Sequence, residues 1–282
     1  MVPEALPVHA CTKYSLRGGL ERGSADFVSL ADGRGACENS LLMNSTPVLL
    51  AGGSLAAAGV FAWAAVAPSS QLFGPTIRMT GASATLALTF DDGPNPAVTP
   101  ALLDLLSQYD AHATFFQIGE RVRAFPALSR EVAQQGHTLG NHTDTHPRLT
   151  FLSPRRIRDE LARCDDALTA ATGQATRWMR PPYGYRGPQL NSALRSQNES
   201  ARIVMWSRSA FDWRLPSSEK IIKRLRHVRG GDIVLLHDGD HREPEGDRRH
   251  TVAALAYWLP RWKDAGMRFV SLNEVARAES AG

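Results

Sequence analysis

From about residue 84 onward, short apolar runs alternate with segments whose apolar positions recur every three or four residues. The short runs predict strands at Thr85–Phe90, Ala113–Ile118, Thr138–Asn141, Arg177–Arg180, Arg202–Trp206, Asp232–Leu236 and Arg268–Ser271. Between them, helices are predicted over Thr99–Tyr109, Arg121–Gln135, Pro154–Thr172, Pro188–Ser196, Glu219–Val228 and Val252–Ala265, with Ile157, Leu161 and Leu168 marking one apolar stripe. Strand and helix alternating this regularly imply parallel pairing with helices outside. Seven strands predict an α/β fold in the form of a closed or nearly closed (β/α) barrel. In such folds chemistry gathers at the carboxyl ends of the strands.

The first part of the chain follows a different pattern. Residues 1–46 are rich in Gly, Ser and charge without a sustained period, and are expected to be a poorly ordered extension. Pro47 to Ala67 then contains no charged residue. At about 1.5 Å rise per residue, that run is just long enough to cross a hydrocarbon core of roughly 30 Å. We expect an uncleaved membrane-anchor helix over residues 47–67, a linker over 68–83 and a folded domain over 84–278. A cleaved signal is the main rival, because Ala65-Val66-Ala67 has the small residues of a cleavage site. Pro68 follows directly and no basic cluster precedes the run, so the anchor is preferred; a buried helix ranks third. The expected location is the cytoplasmic membrane with the folded domain outside it, or secretion if the segment is cleaved. Met43 stands just before the apolar run and is a candidate natural start.

Composition narrows the picture only slightly. Of 282 residues, 43% are hydrophobic and 21% charged, values of an ordinary folded protein. The net charge of +4 is carried by scattered pairs such as Arg155-Arg156 and Arg248-Arg249, which read as solvated surface. There is no interleaved basic and aromatic stripe, so no nucleic-acid partner is expected. Cys11, Cys37 and Cys164 lack metal-site spacing, and an odd count gives no disulfide framework, although Cys11 and Cys37 could pair if exported. Cys164, on a predicted helix, is read as structural.

Candidate chemistry sits at the predicted strand ends. Thr89-Phe90-Asp91-Asp92-Gly93-Pro94 closes one strand with adjacent carboxylates, and His142-Thr143-Asp144-Thr145-His146 follows another. Alone, the first is an ordinary turn composition. Together, two imidazoles four residues apart, expected on one turn of helix, and one carboxylate could hold a divalent ion, leaving the second carboxylate as a base. Arg180-Pro181-Pro182-Tyr183-Gly184 is a short rigid cationic stretch. Phe211-Asp212-Trp213 sets a carboxylate beside a large apolar surface, and Ile233-Val234-Leu235-Leu236-His237 is a buried strand ending in His. The combination points to hydrolysis.

With these five stretches in this order, the chain resembles the polysaccharide deacetylases of the NodB-homology type, carbohydrate esterase family 4, from about Thr85 to Val275. The resemblance implies a distorted seven-stranded (β/α) barrel and hydrolysis of acetamido groups on an N-acetylated glycan such as peptidoglycan, a chitin-like oligomer or an exopolysaccharide. It implies Asp91 as general base, Arg180 orienting it, and Asp92, His142 and His146 holding one divalent metal. Zinc suits that set, with cobalt, nickel or manganese as alternatives. It further implies His237 as general acid held by Asp212, a main-chain oxyanion contact at Tyr183, and Trp213 and Leu235 as walls around the acetyl methyl. One position departs from the family pattern: Ser209 stands where the fourth motif usually carries an earlier Asp. Two rival functions are a deacylase or deformylase of a lipid-linked sugar or small amide, and a silent glycan-binding barrel. The oligomeric state has no sequence signature.

Overall fold

Each of the nine residues of Thr85–Gly93 is buried, because this strand has parallel neighbours on both sides and helices over its outer face. The computed structural model describes residues 56–281. In chain order the elements are α1 (residues 56–66), β1 (Thr76–Ile77), β2 (Thr85–Gly93), α2 (Thr99–Ser107), β3 (Ala113–Gln117), α3 (Gly119–Ala124), α4 (Pro126–Gln134), β4 (Thr138–Asn141), α5 (Pro154–Thr172), β5 (Trp178–Met179) and α6 (Pro188–Arg195). They continue with β6 (Arg202–Val204), β7 (Arg208–Ser209), α7 (Ser218–Leu225), β8 (Ile233–His237), α8 (Arg249–Asp264), β9 (Arg268–Phe269) and α9 (Leu272–Ala281).

The strands form one curled sheet in the order β1-β6-β5-β4-β3-β2-β8-β7, with β9 added against β2. Every ladder is parallel, as the alternation predicts. The seven expected strands are all present. The expectation of a closed or nearly closed barrel is corrected to a curled half-barrel. The chain from 202 to 209 changes neighbours midway, since β6 pairs β5 while β7 pairs β8. Near the bottom of that seam β1 lies against β6, and Met79 makes an antiparallel bridge to Asp232. The short N-terminal segment fills a gap that a continuous ladder would otherwise close.

Helix boundaries follow local chemistry. In α5, Ser153 caps the first turn by accepting from the Arg156 N–H at 3.3 Å, Pro154 opens the helix, and Gly173 ends it at φ 72°. The single helix expected over Arg121–Gln135 is two, α3 and α4, broken at Phe125 (φ −132°, ψ 57°). Pro126 cannot continue α3, and it pre-sets the first turn of α4. α9 was not foreseen. Its Leu272 and Ala276 pack with Ala87, Phe116, Trp178, Val204 and Ile233, and Trp178 Nε1 donates to Asn273 Oδ1 at 2.7 Å. α9 therefore covers the end of the half-barrel opposite the carboxyl ends of β2 and β8. A larger apolar layer lies outside the sheet, where Leu86, Leu88, Phe90, Val234 and Leu236 meet α2, α7 and α8.

The apolar N-terminal run is only partly in view. The extension over residues 1–46, Met43, Cys11, Cys37 and residues 47–55 lie outside the described residues. Among those described, no helix is long and apolar enough to cross a membrane; the first part of the expected span, residues 47–55, lies outside them. α1 stops just before Ala67-Pro68, where the residue preceding a proline is driven out of the helical region. Val60, Phe61 and Trp63 are more than half exposed, whereas Ala64 and Ala65 pack on Phe73. Buried Arg186 ties the segment after α1 to the domain, donating to Ala67 O at 2.7 Å and Ser70 O at 2.9 Å. Cys164 is buried and its thiol donates to Gln117 O at 3.3 Å, the structural role expected of it.

Candidate active site

β2 and β8 run in register so that Asp91 lies beside His237 and Thr89 beside Leu235. Alternation along a strand then puts Ala87, Thr89 and Asp91 on the inner face, with Leu235 one step below His237. Asp92 should point the other way. A register shift between Asp91 and Gly93, with Asp92 at φ 72°, turns it back so that both carboxylates reach one cleft.

Arg180 is fully buried beneath Asp91. Its Nη1 donates to Asp91 Oδ1 at 2.8 Å and to Thr89 Oγ1 at 2.7 Å, while Nε and Nη2 donate to Val204 O and Met205 O. The guanidinium also lies 4.3 Å from the centre of the Phe116 ring. Held by acceptors at three corners, the guanidinium fixes one carboxylate oxygen of Asp91 and leaves Oδ2 facing His142 Nε2 at 3.8 Å.

Asp92 Oδ1 lies 3.4 Å from His142 Nε2 and 3.2 Å from His146 Nε2. Neither contact is aligned as a hydrogen bond, and Oδ1 is a buried acceptor without a partner. Burial alone would raise the Asp92 pKa, but His142, His146 and His241 outweigh it and hold the carboxyl well below its usual range. A buried, unsatisfied carboxylate oxygen facing imidazole nitrogens fits a divalent cation of borderline character. The neighbours of His142 fit the same role: its Nδ1 lies 2.8 Å from Arg180 O, and an N–H given to that carbonyl leaves Nε2 as the lone pair facing Asp92.

The turn of helix expected to align the two histidines is absent. Residues 142–148 form an irregular loop, with Thr143 at φ 66° and His146 at φ 57°. Asn141 Oδ1 accepts from Thr143 N, Thr143 Oγ1 accepts from His146 N, and Glu160 on α5 accepts from Thr145 N. Side-chain staples thus bring the imidazoles together, where helical periodicity was expected to do so. Asp144 lies outside this cluster, in ion pairs with Arg123 and Arg163.

On the opposite wall, Asp212 Oδ1 accepts from His237 Nδ1 at 2.8 Å. Its Oδ2 takes the His237 backbone N–H at 2.7 Å and the Thr251 hydroxyl at 2.9 Å. Burial of the ring works to lower the His237 pKa, but Asp212 overrides it and raises the pKa to about 9. Trp213 packs edge-on to His237 with ring centres 5.0 Å apart, and Leu235 is buried below. Tyr183, at φ 59°, is held in a tight 3-10 turn, Pro182–Gly184, and stands half-exposed at the rim. Ser209 does not line the cleft; its Oγ takes the Phe211 N–H at 3.3 Å and supports the turn carrying Asp212.

Of the residues named for catalysis or metal binding, Asp91, Asp92, His142, His146 and His237 meet around one cleft of about 500 Å³ at the carboxyl ends of the strands, while Arg180 lies beneath it and reaches Asp91. Asp212 stands behind His237. Positive φ recurs at Asp92, Thr143, His146, Tyr183 and Phe211, each within one of the five stretches singled out in the sequence. Such conformations cost of order 1–3 kcal/mol and gather where surrounding structure holds a site in shape. The sequence reading missed Trp206, Tyr185 and His241, which also face the cleft. His241 carried no signal, as it lies in a polar loop of Gly, Asp, Arg and Glu.

A buried carboxylate fixed by Arg, an imidazole kept cationic by Asp, and an Asp–His cluster suited to a metal define a hydrolase site of the acid–base type. Residues 78–201 match the polysaccharide deacetylase family. The chain is 38% identical over 193 residues to a peptidoglycan-N-acetylglucosamine deacetylase of Bacillus cereus, covering 68% of this chain and 88% of that protein. It is 35% identical over 198 residues to a chitooligosaccharide deacetylase of Azorhizobium caulinodans, covering 67% and 93%. Among solved structures, a peptidoglycan N-acetylglucosamine deacetylase in complex with 4-naphthalen-1-yl-N-oxidanyl-benzamide matches with a TM-score of 0.63 and 34% identity, over 68% of this chain and 88% of that one. The chain belongs to the polysaccharide deacetylase family, and its enzymatic class is that of hydrolases acting on non-peptide carbon–nitrogen bonds.

Proposed function

We propose that this enzyme hydrolyses the acetamido group of N-acetylglucosamine units in a glycan, releasing acetate and a free amine. The observation that carries this reading is the pairing of a carboxylate and an imidazole on neighbouring strands, each held by a buried partner: Asp91 by Arg180, and His237 by Asp212. Asp91, with one oxygen bound to Arg180, offers the other to take a proton from the attacking water. His237, cationic at neutral pH, gives its Nε2 proton to the departing nitrogen, which leaves as the amine. Tyr183 lines the same cleft, and its backbone N–H would stabilise the oxyanion. Leu235 and Trp213 give an apolar lining suited to the acetyl methyl.

A divalent ion, for which zinc suits the donors, would be held by Asp92, His142 and His146. When bound it supplies Lewis acidity that polarises the amide carbonyl and acidifies water. We further propose a place at the membrane face, supported by the charge-free run before Pro68 and the exposed Val60, Phe61 and Trp63 of α1. That apolar helix also favours a second reading, a lipid-linked amino sugar as substrate.

The deciding experiment measures acetate release from N-acetylglucosamine oligomers, peptidoglycan and a lipid-linked acetamido sugar, with and without chelator and added zinc. Metal-dependent release from the first two supports the proposal. Release only from the lipid-linked sugar favours the second reading, and no release from any of them by metal-loaded protein refutes both.

A further inference from the structure

The loop after β8 brings a third imidazole to the Asp92 cluster. The loop is held from two sides: Arg248 donates to Gly239 O and to the Asp240 side chain at Oδ2, both at 2.8 Å, and Arg121 Nη2 donates to His241 O at 3.3 Å. So anchored, His241 lays its ring on His146, with centres 4.3 Å apart and planes within 25°. Its Nδ1 is 3.7 Å from Asp92 Oδ2, and its Nε2 is 3.2 Å from the Tyr183 hydroxyl. One donor atom from each of Asp92, His146 and His241 falls within 4.8 Å of the others.

We infer that His241 is a further metal ligand of this chain, joining Asp92, His142 and His146 while the cleft holds no substrate. Resting on the metal-centre reading above, the inference adds a residue to it. A histidine that gives its Nε2–H to a phenol oxygen presents Nδ1 as a lone pair, the form that ligates a metal. That lone pair then faces a carboxylate oxygen of Asp92, two acceptors toward each other, an arrangement a cation between them satisfies. Four protein ligands fill a tetrahedral site, whereas a catalytic ion needs an open position. His241 is the ligand placed to yield: its side chain is 24% exposed, against 5% or less for Asp92, His142 and His146. Substrate entering the cleft would displace His241, the most exposed of these four side chains.

The test uses the full chain freed of metal by chelation and titrated with Zn2+ and Co2+ by calorimetry and visible absorption. His241→Ala is expected to weaken binding of both ions about tenfold or more and to change the Co2+ spectrum. Tyr183→Phe is expected to weaken binding less, because Nδ1 remains. Circular dichroism verifies that each variant is folded; His241→Gln repeats the measurement with a polar side chain of similar reach. Unchanged affinity and an unchanged spectrum in folded His241→Ala overturn the inference, and would mean that His241 only packs on His146 beside Asp92. If wild type binds no ion, or His142→Ala binds as tightly as wild type, the metal centre itself falls, and this inference with it. If His142→Ala weakens binding and His241→Ala does not, only the role of His241 falls.

Discussion

Replacing Asp212 by Asn would separate its charge from its shape. In the native site burial lowers the His237 pKa, but Asp212, with smaller contributions from Asp92 and Asp91, raises it from 6.5 to about 9. At about 1.4 kcal/mol per tenfold change in proton affinity, this is a preference of roughly 3 kcal/mol for the imidazolium. At pH 8 an acid of pKa about 9 is roughly 90% protonated, and one of 6.5 only about 3%. With that charge gone, and with Asp91 and Asp92 engaged by Arg180 and the metal, burial would carry His237 toward 6.5 or lower, so kcat/KM at pH 8 should fall about thirtyfold. The assay is acetate release from a chitooligomer between pH 5.5 and 10 with saturating metal. Wild type should lose activity as pH rises through about 9, and the variant near or below 6.5, with the two converging at the acid end. The same linkage acts on stability. The contribution of the raised His237 is complete below about 6.5 and lost as pH rises through about 9. That of Asp212, whose carboxyl burial would raise but His237 lowers on balance, is lost instead as pH falls through its depressed value. If the basic limb stays in place in a folded Asp212→Asn protein, His237 is not the group that must be protonated.

Three further outcomes test the rest of the site. Asp91→Asn keeps an acceptor for Arg180 and should abolish turnover while Zn2+ still binds; wild-type rates would remove Asp91 as the base. His142→Ala should weaken Zn2+ binding at least about tenfold, measured by competition with a chromogenic chelator; unchanged affinity would move the ion elsewhere. Arg180→Met leaves Asp91 buried without its cation and should cost about 3–5 kcal/mol in urea unfolding, whereas a loss below about 1 kcal/mol would mean that Asp91 finds another partner.

What could be read from the sequence, and what could not, divides along physical lines. Strand and helix positions were legible because burial imposes a period: β4 and α5 match the expected ranges residue for residue, and all seven strands are present. Closure was not legible. Whether β6 and β7 continue one ladder depends on a neighbour change at residues 205–207, and the local pattern of apolar residues does not encode that choice. The α3–α4 break was marked by Pro126, but the apolar spacing continued through it and suggested one helix. α9 shows the opposite failure: Leu272, Val275 and Ala276 have helical spacing, yet its role as a cover appears only when Phe116 and Trp178 are brought from distant strands. In the site, chemically distinctive residues at strand ends were found, because Asp-Asp and His-x-x-x-His are rare where apolar runs stop. The means of bringing them together was not. His142 and His146 converge through two left-handed residues and side-chain staples from Asn141 and Thr143, and none of these has a period. His241 is the extreme case. It lies 95 residues beyond His146 in a loop of unremarkable composition, and only the fold places it on that ring. Residues that act through strand periodicity are therefore open to inspection in the chain, whereas those delivered by loops must be sought wherever an unsatisfied buried atom, such as Asp92 Oδ1, shows that a partner is required.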